Sequence, residues 1–171
     1  MNQRKSRIPK ANPCAHTLLY AFTLLALHPT VQDTLFNEIK QKIGTRLPTY
    51  EDFPKLVYPL CVMYETLRLF PPAITLPKCS QYSDETLLGK YFIPKDTTIE
   101  LNVVYLHRNP KFWGDDAESF NPSRFDGRAS AEKIAQIETA DNALGGTNDK
   151  IRMPVKGAFI PFAEGPRSCL G

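Results

Sequence analysis

A mainly helical fold carrying small β-sheets (α+β) is predicted by three features of this sequence. The stretch from Ala15 to Leu27 is almost continuously apolar, and as a helix it would be hydrophobic on all sides and has to pack inside something larger. Val31, Leu35 and Ile39 then recur every four residues, and Leu60, Met63, Tyr64 and Leu67 share one face at helical spacing. From Ala73 to Tyr105 the pattern changes to short β-branched runs split by Pro77, Gly89 and Pro94.

Each element has its own punctuation. His28-Pro29 breaks the first helix, Thr30 followed by Asp33 signals an N-cap for the second, and Gly44 closes it. After a polar loop with Pro48 and Pro54, Pro59 suits the first turn of a third helix, which Pro71-Pro72 ends just past Phe70. The clearest strand runs from Thr97-Thr98-Ile99 through Val103-Val104-Tyr105. Residues Asn109 to Phe125 mix aromatics with turn formers and are expected to be compact but mostly loop. Asp126 to Lys156 is polar and reads as a surface insertion, with a short Ala-rich helix near Ala129 to Ala140 and a flexible stretch over Gly145-Gly146-Thr147-Asn148-Asp149. No internal repeat is visible.

Composition excludes several classes. The 171 residues suit one domain, and a balance of 21 basic against 18 acidic side chains is too weakly positive for nucleic acid. The only basic cluster is Arg4, Lys5, Arg7 and Lys10; it reads as a solvated tail, with membrane-surface attraction as the sharper alternative. The first ten residues contain only Met1 and Ile8 as sizeable apolar side chains, so neither a secretory h-region nor an N-terminal anchor is expected there. The run Leu18 to Leu27 is too short for a membrane span and reads as a buried helix. Cys14, Cys61, Cys79 and Cys169 lie far apart, with no Cys-x-x-Cys pair and no nearby His pair, so zinc and disulfides are unsupported and an intracellular chain is expected.

The chemistry concentrates at the end of the sequence: Phe162-Ala163-Glu164-Gly165-Pro166-Arg167-Ser168-Cys169-Leu170-Gly171. A lone cysteine in a turn is most often an ordinary buried thiol. Here the surrounding residues closely resemble the haem-binding signature of the cytochrome P450 family, Phe-x-x-Gly-x-Arg-x-Cys-x-Gly, at every fixed position. The resemblance implies Cys169 as the axial thiolate of a haem iron, an electron-rich ligand suited to O–O cleavage. It also implies Gly165 for a backbone turn or close approach, Gly171 for packing against the macrocycle, Arg167 for a haem propionate and Phe162 as a shield beside the ligand.

Glu65-Thr66-Leu67-Arg68 lies on the third helix, where Glu and Arg three apart can pair. Alone, such a spacing is usually a surface salt bridge worth little. In the P450 family the motif sits on the helix called K, and an arginine from an Asn/Pro/Arg/Phe segment completes a structural triad. Asn121-Pro122-Ser123-Arg124-Phe125 fits that segment, making Arg124 the third member, although the family often has Glu where Ser123 stands. His107-Arg108-Asn109-Pro110 with Trp113-Gly114 resembles the segment before it, and His107 is expected to be a packing or haem-edge residue. Lys78 sits where many members place a basic residue against the second propionate; a solvated strand-end charge is the equal alternative.

Such a resemblance covers residues 15–171 and leaves 1–14 unmatched. It implies the C-terminal part of the P450 fold, truncated at both ends, with Pro9 to Cys14 standing where the family carries its oxygen-protonating acid-Thr pair. The implied cofactor is haem b (iron protoporphyrin IX), and the implied reaction inserts oxygen from O2 into a small apolar substrate. Electrons would come from NADPH through a reductase-type partner. The alternative is a non-catalytic remnant holding haem weakly or not at all; a zinc or redox-sensor domain built on Cys169 lacks partner ligands and a resolving thiol. Likeness to eukaryotic or fungal members implies the endoplasmic reticulum membrane as location.

Overall fold

The computed structural model describes residues 12–80, 83–129, 151, 156–165 and 168–169. The basic cluster before Asn12, the expected Ala-rich helix and Gly-rich stretch between residues 130 and 150, and Arg167 and Gly171 lie outside the described residues.

Helix α1 spans Pro13–Leu27, two residues longer at its start than apolar periodicity alone indicates, because Asn12 caps it. The Asn12 side chain accepts from the Ala15 amide at 3.2 Å, and Pro13 occupies a first-turn position where its missing N–H costs nothing. The helix buries Thr17, Ala21 and Leu24 and leaves Leu18, Leu19, Phe22 and Leu27 exposed, so its apolar character exceeds what these residues cover.

Helix α2 (Pro29–Lys42) departs from α1 at 110°. It starts one residue before the expected Thr30 cap: His28 occupies the cap position without a side-chain bond, since Pro29 favours the first turn and the His28 Nδ1 is engaged with the Leu24 carbonyl at 2.8 Å. Gly44, at φ +72°, closes the helix in the left-handed region, donating to the Lys40 carbonyl. Among the described residues no single helix is long and apolar enough to cross a membrane.

The following 3₁₀ turn, Tyr50–Lys55, is organised by Asp52. Its carboxylate accepts from both Arg46 Nη atoms at 2.6 and 2.7 Å and from the Thr49 amide at 2.9 Å, which holds it far below the usual carboxylate range.

Helix α3 (Val57–Leu69) is the centre of the molecule. Glu38 of α2 caps it from outside, accepting from the Tyr58 amide at 2.9 Å. Two apolar clusters flank the helix. One joins Val57, Cys61 and Leu67 to Trp113, Ala117, Phe125 and Phe159; the other joins Tyr58, Val62 and Leu69 to Leu24 and Phe120. Leu60, Met63 and Tyr64 of the expected stripe are only partly buried, because the deepest side of α3 holds Glu65, Thr66 and Arg68, which periodicity assigns to solvent.

Two small antiparallel sheets follow: β1 (Thr75–Cys79) pairs with a later strand, Thr98–Asn102, and β2 (Glu85–Leu87) pairs with β3 (Tyr91–Ile93). The Thr98–Asn102 strand, β4, stops at Asn102, and the expected continuation through Val103-Val104-Tyr105 is instead helix α4 (Val103–His107). Asn102 decides this: its side chain accepts from the Tyr105 amide at 2.9 Å, a cap that outweighs the β-preference of two valines. Asn109 starts helix α5 (Pro110–Trp113) by the same device, and Asn121 starts the 3₁₀ turn Pro122–Phe125, so the segment from Asn109 to Phe125 is a chain of capped turns.

Replacing the switch residue tests this account. Asn102→Ala is expected to lower stability by about 1 kcal/mol, read as a shifted urea midpoint with unchanged m-value.

Candidate haem-thiolate site

The site is assembled on a buried ion network. Glu65 and Arg68, one turn apart on α3, are both 0% exposed. Arg68 Nε and Nη2 meet Glu65 Oε2 and Oε1 at 2.6 and 2.7 Å, a bidentate pair. Its remaining donors reach backbone carbonyls: Nη1 to His107 at 2.8 Å and Ala117 at 2.6 Å, Nη2 to Ser119 at 3.1 Å. All N–H groups of this guanidinium are thereby used, which is the condition for holding a cation without water. The Trp113 ring lies 5.0 Å from the guanidinium carbon and supplies a π-face.

Arg124 joins at the edge. Its Nε reaches Glu65 Oε1 at 3.3 Å, Nη1 the Trp113 carbonyl at 2.8 Å, and Nη2 the Asp116 carboxylate at 2.5 Å. The Asn121 amide donates to Glu65 Oε1 at 2.9 Å. Arg124 therefore contacts Glu65 through one nitrogen, with its fork turned toward the Trp113 and Asp116 backbone, and its hydrogen bond to the Asp116 carboxylate, aided by its charge, holds that carboxyl below the ordinary carboxylate range. The structure brings Glu65, Arg68 and Arg124 together.

The chain leading to the cysteine crosses the first cluster. Phe159 packs among Tyr64, His107, Trp113 and Phe125 at ring distances of 5.2–6.2 Å. Phe162 is half-buried against the same cluster. The loop then reverses. The Ala163 amide donates to Ile160, Ser168 to Gly165 and Cys169 to Phe162, the last at 3.0 Å. Ala163 and Gly165 take φ of +64° and +88°, and a Cβ on Gly165 would meet nothing within 4 Å, so glycine serves the turn there and not a close approach. Cys169 emerges from this turn exposed and free.

Other candidates fall elsewhere. Lys78 is exposed on β1 opposite Ile99, with no ion pair among the described residues. His107, assigned to the cofactor on sequence grounds as a packing or haem-edge residue, is placed in the interior. Its ring is fully buried, with Nε2 accepting from the Ile160 amide at 2.9 Å and Nδ1 3.2 Å from the Arg68 carbonyl, so neither nitrogen is open to a cofactor. Burial, reinforced by the Arg68 charge and opposed by the bond to the Arg68 carbonyl, pushes its pKa down to about 4. Cys61, buried in the first cluster, is pushed up to about 12 by burial and is inert as a nucleophile. Asp116 and the carbonyls of Ala117 and Ser119 went unread in the sequence: a carbonyl carries no residue-type signal, and Asp116 is one of several acids in a turn-rich segment.

The donor set fits a haem iron. A single soft sulfur stands on a hydrogen-bonded turn, and among the described residues no group of three His, Cys, Asp or Glu side chains could hold a metal ion as an all-protein site. The sequence model of the cytochrome P450 family matches residues 12–171. The chain belongs to the cytochrome P450 family. It is 36% identical over 154 residues to secologanin synthase 2 of Catharanthus roseus, covering 90% of this chain and 25% of that protein. It is 34% identical over 167 residues to cytochrome P450 monooxygenase 124 of Postia placenta, covering 92% of this chain and 27% of that one. A zebrafish cytochrome P450 solved with progesterone superposes at a TM-score of 0.68 with 28% identity, over 92% of this chain and 30% of that one. This P450 chain thus spans about a quarter of the length of the relatives it matches.

Two outcomes check the site's energetics. Glu65→Gln keeps the shape but strips the counter-charge from a sealed guanidinium, and is expected to cost about 3–5 kcal/mol in denaturant unfolding. The depressed His107 pKa makes the native ring bind fewer protons than the unfolded one between about pH 4 and 6.5. Its stabilising contribution is complete above about 6.5 and lost as pH falls toward about 4, at most about 3 kcal/mol. Urea midpoints measured across that window should fall more steeply for the parent chain than for His107→Gln.

Proposed function

We propose that the protein carrying this chain is a haem-thiolate monooxygenase that inserts one oxygen atom of O2 into a small lipophilic substrate. The observation that carries this reading is the position of Cys169: a free, exposed thiol on a turn closed by its own amide, rooted in the aromatic cluster that packs on the Glu65 helix. Haem b, when bound, supplies oxygen activation and electron storage.

The chain's residues have distinct tasks in this reading. Cys169 holds the iron as a thiolate. Phe162, packed at the base of the turn, limits water near the sulfur, and the Phe162 carbonyl ties down the Cys169 backbone. Gly165 permits the reversal that presents the sulfur, and Gly171 is assigned to close backbone approach to the macrocycle by its place in the motif. Arg167 is assigned to a haem propionate by its place in the motif, and Lys78 to the second, where an ammonium offers charge without a bidentate fork. Glu65, Arg68 and Arg124 transfer no proton; they hold the α3 frame from which the loop is hung.

Names among the relatives, which include a cytokinin hydroxylase of Arabidopsis thaliana, favour oxidation of small organic molecules. Electrons are assigned to NADPH by way of a reductase-type partner, and the location to the endoplasmic reticulum membrane.

The test is spectroscopic. Haem is added to the chain and to its Cys169→Ala variant, both are reduced under carbon monoxide, and the Soret region is recorded. A strongly red-shifted thiolate band in the parent and its loss in the variant are expected; equal haem uptake with identical spectra overturns the assignment.

A further inference from the structure

One imidazole stands between the ion network and the cysteine loop. His107 ends α4, and its ring bridges two segments distant in sequence: Nδ1 faces the Arg68 carbonyl at 3.2 Å and Nε2 receives the Ile160 amide at 2.9 Å. The bridge to α3 is double, because the His107 carbonyl in turn accepts from Arg68 Nη1 at 2.8 Å. On the far side, Ile160 lies two residues before Phe162, whose carbonyl holds the Cys169 amide at 3.0 Å. Phe159 packs tilted against the imidazole at 5.2 Å and 31°.

The partners dictate the ring's state. An amide N–H can only donate, so Nε2 must carry its lone pair toward Ile160. A carbonyl can only accept, so the proton belongs on Nδ1. A second proton would set two donors face to face beside Arg68, in a fully buried position. Only one of the three protonation states satisfies both neighbours.

We propose that His107 is the positioning residue of the cysteine loop: a neutral imidazole protonated on Nδ1 that fastens the backbone ahead of Cys169 to the end of the helix bearing Glu65 and Arg68, and so sets where the sulfur stands. This rests on the reading of Cys169 as the iron ligand but adds to it a device for aiming the ligand. A ring that merely filled space could be replaced by phenylalanine; a ring that aims the loop needs its acceptor.

Haem-free measurements separate the two. Nitrogen-15 spectra of the histidine-labelled chain are expected to show His107 with Nε2 unprotonated and Nδ1 protonated at pH 7. A proton on Nε2, or an averaged ring, overturns the proposal with no variant needed.

Three variants extend the test. His107→Gln places an amide oxygen near the Nε2 position and keeps the acceptor for Ile160. His107→Asn keeps a donor near the Nδ1 position only, and His107→Phe keeps neither. An unpaired buried amide is worth about one to three kcal/mol, so Asn and Phe are expected to speed Ile160 amide exchange roughly ten- to a hundred-fold. They should also speed exchange of the Cys169 amide, which the Phe162 carbonyl holds at 3.0 Å. Gln should stay near the parent on both readings. Equal loosening in all three variants, or in none, overturns the proposal. Because haem is absent throughout, a failure here is told apart from a failure of the Cys169→Ala spectrum: the first removes the His107 anchor alone, the second the iron-ligand reading on which its role rests.

Discussion

A carboxylate sealed inside protein survives only if its charge is fully answered, and Glu65 is the group on which the rest of this structure depends. It sits on the deepest side of α3, where the helix presents polar side chains to the interior and apolar ones to both flanks. The answer comes from Arg68 one turn away, from Arg124 and from the Asn121 amide. Arg68 then spends its other donors on the carbonyls of His107, Ala117 and Ser119. One ion pair therefore holds irregular segments that have no ladder of their own. Removing Glu65 would leave the buried Arg68 charge with carbonyl partners only, and removing Arg68 would leave Glu65 to Arg124 and the Asn121 amide, so either loss is costly.

The aromatic cluster completes what the charges begin. Trp113 lies over the Arg68 guanidinium, Phe159 packs edgewise and Phe125 at a tilt against its ring, and Phe162 continues the row to the foot of the cysteine turn. The geometry is one of graded exposure: sealed at Glu65, half-open at Phe162 and open at Cys169. Such a gradient suits the role proposed for Cys169, with the sulfur open to a cofactor on one side while its backbone stays fixed on the other.

Capping asparagines do much of the remaining work. Asn12, Asn102, Asn109 and Asn121 each begin a helix or 3₁₀ turn by accepting from an amide two or three residues on. The last three let the segment after the sheets fold as a succession of short turns at the spacing that the Arg68 and Arg124 donors require. Here local chemistry and long-range pairing agree, which is what makes irregular structure specific.

Much of this was legible in the residues. The first three helices, a strand-rich middle, Gly44 as a stop, Glu65 with Arg68, and the cysteine turn all carry short-range signals: period, punctuation and motif spacing. What the sequence hid is what depends on neighbours. The β-branched run at Val103-Val104 reads as strand until Asn102 is seen capping a helix, and the deep side of α3 reads as solvent until three partners surround Glu65. Residue types and local order were thus determined by the sequence by itself, because capping, turn formation and motif spacing act over a few bonds. Tertiary structure alone decided that His107 faces inward with both nitrogens engaged, and which backbone carbonyls would accept from Arg68, because a hydrogen bond between residues 39 to 53 positions apart leaves no pattern until the chain has closed on itself.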